Sequence, residues 1–225
     1  MTKGNSTKKS EAKRIPFKKL FFIFIIGSVF GCLYETILTF FMYLFQDGSI
    51  VLVSRSGLLY GPFNPIYGVG AALMIYFLAR KDYKWWQIII FGGLIGGIFE
   101  CLMGFGQEFF TGTSSWDYSG HFLNIGGKTS LYIMTIWGLI CYVLVKLIYP
   151  LFNRIYNKIP AQTSDMLFWI LLVFMIVNCV LSFSAVVRMN LRHHNVPTFT
   201  PYGTFLDSTY TDERIHQSYT NMTEL

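Results

Sequence analysis

Charge is what this chain has least of. Only 13% of its 225 residues are Asp, Glu, Lys or Arg, against roughly a quarter in an ordinary soluble domain. That deficit excludes a solvated, intrinsically disordered chain and points to a membrane protein. Cysteine is also sparse. Cys32, Cys101, Cys141 and Cys179 each fall inside an apolar run, and no C-x-x-C occurs, so neither a disulfide framework nor a zinc site is expected. His193 and His194 are adjacent but have no further ligands nearby in sequence, which is too little for a metal site. There is no P-loop, G-x-S-x-G, H-E-x-x-H or dinucleotide fingerprint. The chain is therefore not expected to hydrolyse ATP, to carry a cofactor or catalytic residues, or to act as an enzyme. The first apolar run is too long for a cleaved signal peptide, carries Glu35, and is followed by no small-residue cleavage site.

What is present is apolar and aromatic. Hydrophobic residues make up 53% of the chain and aromatics 18%, which suits lipid-facing surfaces and interfacial belts. Five apolar stretches cover about residues 20–45, 66–79, 85–110, 131–149 and 166–187. A span needs roughly 20 residues, so four runs qualify alone and the second needs its Pro-rich lead-in. The expected fold class is an all-α membrane protein with about five transmembrane helices. Its parts would be a basic cytoplasmic arm (1–17), a first membrane repeat (18–84), a second (85–150), an inner loop with the fifth helix (151–187), and a weakly structured polar tail (188–225).

Basic residues set the orientation. Seven of the 18 lie in the first 19 residues, and a basic arm directly before a span reads as a topology signal rather than a nucleic-acid binder. With the N-terminus in the cytoplasm, the inner loops hold Arg80, Lys81, Lys84, Lys146, Arg154 and Lys158, and the outer ones only Arg55 and Lys128. The tail would lie outside. Trp85, Trp86 and Trp116 read as interfacial anchors.

An internal duplication is visible. Gly27, Gly31 and Glu35 form G-x-x-x-G-x-x-x-E, and Gly92, Gly96 and Glu100 repeat it 65 residues later. The same offset, without a gap, aligns Leu58 with Leu123, Gly61 with Gly126 and Tyr67 with Tyr132. Each unit would be helix, outer loop, helix, giving two parallel copies related by an axis along the membrane normal.

Glu35 and Glu100 are the leading candidate site residues. A carboxylate in a membrane span costs several kcal/mol unless it faces a partner, the bundle interior or a wet cavity. The glycines one and two turns earlier share its helix face and let a neighbouring helix approach. Two readings stay open: a site for protons or cations, or carboxylates that only hydrogen-bond across helices. The apolar segment 55–70, with Gly61, Pro62, Pro65 and Gly68, is too broken for a regular helix. It is either re-entrant, packed in protein or beside a wet cavity, or an outer loop on the headgroups. Arg55 would pair with Asp117 of the second unit, with Glu108, or face water. Tyr67 joins these as a candidate polar contact.

Taken together, Glu35 in its glycine frame, Arg55-x-Gly57, Gly61-Pro62-Phe63-x-Pro65-Ile66-Tyr67-Gly68, Glu100 and Trp116-Asp117-Tyr118-Ser119 resemble the Putative ABC-transporter type IV family over about residues 20–150. The resemblance implies a bacterial inner-membrane, multi-pass, permease-like transport protein, with ATP hydrolysis left to a separate ATP-binding subunit. The expected partners are lipid and that subunit or a second copy of the chain, with no nucleic acid. A membrane scaffold or regulatory subunit is the alternative. A lipid-acting enzyme using Asp117, Glu108, Arg55 and His121 comes third.

Overall fold

The computed structural model describes residues 14–220 and 222–224. Most of the expected basic arm, including Lys3, Lys8, Lys9 and Lys13, lies outside the described residues. The elements are α1 (Phe17–Asp47), α2 (Pro65–Leu78), α3 (Trp85–Thr111), α4 (Leu131–Val143), α5 (Tyr149–Tyr156), α6 (Ala161–His193), α7 (Pro201–Thr209) and α8 (Asp212–Ser218). Four two-residue strands complete them: β1 (Thr113–Ser114), β2 (Asn124–Ile125), β3 (Thr129–Ser130) and β4 (Thr223–Glu224). A π-helical turn, Leu144–Ile148, joins α4 to α5 without a break. Pro150 explains it: proline has no N–H for the preceding turn, and a widened turn accommodates its ring.

Four helical segments are long and apolar enough to cross a membrane: Phe17–Gln46, Trp85–Thr111, Leu131–Tyr156 and Ala161–His193. The fifth span expected from the sequence is different in kind. α2 has 14 residues and is only about 21 Å long. It starts deep in the bundle, where the Asn64 N–H donates to the Ser28 carbonyl at 3.0 Å, near the middle of α1. The segment before it is irregular and packed against helices. Arg55 N–H donates to Thr36 Oγ1, Leu59 N–H to Ser182 Oγ and Tyr60 N–H to Asn178 Oδ1, while Asn178 Nδ2 returns a bond to the Tyr60 carbonyl. Asn178 and Ser182 are buried in α6. Non-helical backbone survives among membrane helices only when its polar groups find such partners. The segment packs on the helices through buried Leu58 and Asn64, while its turn at Tyr60, Gly61 and Pro62 is exposed.

The glycine frames set the helix packing. A Cβ on Gly27 would sit 2.9 Å from the Ala71 Cβ, and one on Gly31 would fall within the Tyr67 ring. In the second hairpin a Cβ on Gly92 would strike Cys141, and one on Gly96 would strike Trp137. The partners in α2 and α4 thus correspond as Ala71 to Cys141 and Tyr67 to Trp137, 70 positions apart. Gly68 on the Phe24 carbonyl and Gly138 on the Ile89 carbonyl follow the same rule. The gapless alignment of Tyr67 with Tyr132 is therefore not the register in which the helices pack. The loop between α3 and α4, which carries β2 and β3, takes up five extra residues.

Ile23, Ala71, Met74, Ile75, Ile88, Trp137 and Cys141 form the core between the two hairpins. α6 lies against α1 through Phe168, which meets Phe21 edge-on at 5.2 Å. Lys18 pairs with Asp165 at 2.6 Å, and Lys19 donates to Asn153, so the N-terminal side of the bundle is also where Arg80, Lys81, Lys84 and Lys158 gather (the basic side). The inner loop expected from 151 shrinks to residues 157–160, because α5 continues to Tyr156 and α6 begins at Ala161.

The described residues between 188 and 224 are not the weakly structured tail the sequence suggested. α6 runs on to His193, and α7 and α8 fold back on it around Ala185, Met189, Leu206, Tyr210 and Ile215. Arg188 holds Asp207 through two 2.8 Å bonds, and Arg192 bonds both Asp207 and Asp212. β4 pairs antiparallel with β1, matching Ser114 with Thr223, and closes the side opposite the basic one (the tail side).

Leucine at Gly31 or Gly96 would have no room beside Tyr67 or Trp137. Overpacking of this kind costs about 1–3 kcal/mol, so both variants should melt several degrees below wild type in detergent. Gly106→Ala, with no atom within 4 Å of the new Cβ, should melt at or above the wild-type temperature.

Candidate functional site

The close approach allowed by each glycine frame brings polar groups to its glutamate. Tyr67 donates its hydroxyl to Glu35 Oε1 at 2.8 Å, and Asn64 donates Nδ2 to Oε2 at 3.2 Å. Thr129 Oγ1 donates to Glu100 Oε2 at 2.9 Å, and the Tyr118 hydroxyl lies 3.3 Å from Oε1. Burial pushes the Tyr118 hydroxyl well above its ordinary pKa, so it stays a donor. Asn64 caps α2, and Ser130, next to Thr129, caps α4 by accepting from the Ile133 N–H. Both carboxylates therefore lie near helix N-termini, where the partial positive charge of unpaired amides favours an anion.

The two glutamates open onto one cavity of about 790 Å³, lined also by Arg55, Tyr67, Tyr118 and Trp137. Gln107, Thr113 and Ser115 extend its polar wall, and Tyr219 and Met222 line it from the folded tail. Glu100 is buried and Glu35 half-buried. They do not bond each other, and Arg55 lines the same cavity without an ion pair to either.

Of the sequence candidates, Glu35, Glu100, Arg55 and Tyr67 thus come together, whereas Glu108 and Asp117 do not line this cavity. Glu108 is ion-paired with the buried Lys128, which also donates to Ser114 at 3.1 Å. Asp117 accepts from the Ser119 N–H at 2.9 Å and from its hydroxyl, bonds that hold its carboxyl below the usual range. Neither expected Arg55 ion pair forms, because each acid already has a nearer partner. The Arg55 guanidinium makes no ion pair or side-chain hydrogen bond among the described residues, and its Nε is buried without a partner. Trp116 is half-buried: it lines the cavity and donates Nε1 to the Lys128 carbonyl at 3.0 Å. Within the loop motif, Gly61 takes φ +76°, a value glycine supplies without strain. Pro65 begins α2, and Gly68 is buried against α1. His121 stands 3.2 Å from Ser130 Oγ, and His193 bonds Asp212. No cluster able to hold a metal occurs among the described residues.

Sequence reasoning missed Asn64, Thr129 and Trp137 as site residues. The signal for Asn64 was its place before Pro65, a helix-start cue, and that for Thr129 its place beside Ser130 at the start of the next apolar run.

A multi-pass helical membrane protein with a carboxylate-lined internal cavity is the class this architecture defines. The chain belongs to the family described as Putative ABC-transporter type IV, whose profile matches residues 22–183. The match extends beyond the two hairpins into α6, so α6 is part of the family's shared region. No curated protein and no solved structure matches the chain.

The tail that roofs the cavity depends on Asp207. The Arg188 hydrogen bonds, opposed by some burial and reinforced by Arg192, hold its carboxyl below the ordinary range. A depressed value stabilises the docked tail fully above the unfolded value of about 3.9, and the contribution fades as pH falls through the lower folded value. Protection of the amides of residues 201–218, the exchange rate divided into its intrinsic rate at each pH, should therefore fall as the pH is lowered below about 4. Asp207→Asn should show faster exchange already at neutral pH.

Proposed function

We propose that this chain is a permease-like transport protein of the bacterial cytoplasmic membrane, N-terminus inside, in which Glu35 and Glu100 form one acidic site for a proton or a positively charged group of the cargo. The observation that carries this reading is that two carboxylates from separate hairpins share a single cavity reaching from the bundle middle to the tail side. A carboxylate at such depth is costly unless it is used or fully paired. Gathering of Arg80, Lys81, Lys84 and Lys158 at one side of the bundle supports the orientation. The two hairpins are read as a duplication, supported by their matched glycine contacts and carrying a five-residue insertion before α4. A separate ATP-binding subunit would dock on the basic side, against residues 79–84 and 157–160.

One observation favours the alternative of a scaffold or regulatory subunit: each carboxylate already has two protein donors. A lipid-acting enzyme finds less support, since Glu108 and Asp117 are engaged by Lys128 and Ser119 outside the cavity.

The test is proton flux in proteoliposomes loaded with a pH-sensitive dye, under an imposed membrane potential. Wild-type protein should exceed empty vesicles, while Glu35→Gln and Glu100→Gln should lose about tenfold or more of that flux, a change of roughly 1.4 kcal/mol, and keep their melting temperature. Equal flux in empty vesicles, wild type and both variants, with melting temperatures shifted by the substitutions, would favour the scaffold.

A further inference from the structure

The cavity is lined by ionisable groups of both signs that form no ion pair among the described residues. On one side are the Glu35 and Glu100 carboxylates, bonded only by neutral donors. On the other is the Arg55 guanidinium, with no ion pair among the described residues and a buried Nε that has no partner. Asn64, only 8% exposed, gives its amide donor to Glu35 and leaves Oδ1 without a donor of its own. A buried polar group left unpaired costs about 1–3 kcal/mol, so a ligand that pairs it is favoured. A simple cation would meet the repulsion of Arg55, and a simple anion that of the two glutamates. A group carrying both charges a few bonds apart suits both ends.

The approach to this cavity is apolar. Met42 on α1 and Leu102, Met103 and Phe110 on α3 line it and are also exposed on the outside of the bundle. α1 packs on α2 and α6, and α3 on α4, α2 and α6, whereas α1 and α3 hardly touch. A gap is left between α1 and α3, flanked by these apolar side chains, with α6 packed on both helices. The tail-side mouth, by contrast, is partly occupied by Tyr219 and Met222, with β4 paired to β1 beside it. Apolar side chains thus flank the cavity on α1 and α3, and tail residues line it as well.

We infer that the cavity binds a zwitterionic amphiphile with the chemistry of an aminophospholipid headgroup: the ammonium at Glu35 and Glu100 with Asn64, the phosphate at Arg55, and the acyl chains in the gap between α1 and α3. This rests on the acidic-site reading above and names the ligand class of that same site. Primary ammonium matters, because its N–H groups can bond the carboxylates and Asn64 Oδ1, whereas a quaternary ammonium has none to give.

Native mass spectrometry of the delipidated full-length protein, titrated with single phospholipids, tests it. Phosphatidylethanolamine should bind one per chain and about tenfold or more tighter than phosphatidylglycerol or phosphatidylcholine, the scale of one charge-assisted hydrogen bond. Glu35→Gln should reduce phosphatidylethanolamine to the level of phosphatidylglycerol, and Arg55→Gln should weaken it also. Water-soluble glycerophosphoethanolamine is the second arm. Failure to compete supports the bilayer as the source, and equal competition supports the same headgroup chemistry supplied from water. Equal wild-type binding of all three lipids overturns the inference without any variant having to fold. If that result comes with proton flux that still needs Glu35 and Glu100, the acidic transport site stands and only its ligand class falls.

Discussion

A carboxylate inside a membrane bundle is the constraint on which this structure turns. Neither Glu35 nor Glu100 can face lipid without a cost of several kcal/mol, so each helix must offer that face to something polar. The glycines one and two turns before each glutamate make the offer possible. They bring α2 within contact of α1, and α4 within contact of α3, at the level where Tyr67, Asn64 and Thr129 can donate to the acids. The same close approach places the caps of α2 and α4 near the carboxylates. Packing and electrostatics are thus one feature read twice.

The short α2 follows from this. A full-length second helix would carry regular backbone past Glu35, and the cavity would be filled by its side chains. Starting the helix at Pro65 instead leaves the outer half of that path to an irregular segment, whose polar backbone is satisfied by Asn178 and Ser182 of α6. α6 is therefore more than an added span. It supplies the hydrogen bonds that let a broken element persist inside the bundle, and its extension past Arg188 supports the folded tail. The cavity is what remains when one helix of four is only half present.

Charge pairing then divides the polar residues into two groups. Lys128 with Glu108, and Arg188 and Arg192 with Asp207 and Asp212, are matched pairs that hold the tail side together. Arg55, Glu35 and Glu100 stand apart from these, lining one cavity with no ion pair among the described residues. Buried charges that are paired tend to be structural, and those left unpaired beside a cavity are the better candidates for binding.

The sequence by itself determined the membrane class, the four long spans to within about seven residues at their ends, and the two glutamates with their glycine frames. Each of these is local: hydropathy over one span and spacing along one helix face carry the whole signal. It also gave Arg55 and Tyr67 as site residues, though with Arg55 assigned to acids it does not meet. Only the tertiary structure decided that Asp117 and Glu108 belong to other partners, that Gly31 meets Tyr67 as Gly96 meets Trp137, and that α7 and α8 fold back on α6. The physical reason is shared. Leu206, Tyr210 and Ile215 have no periodic signal of their own and become a core only against α6. An ion pair, likewise, is chosen by which opposite charge lies nearest in space, a distance that residue spacing along the chain does not contain.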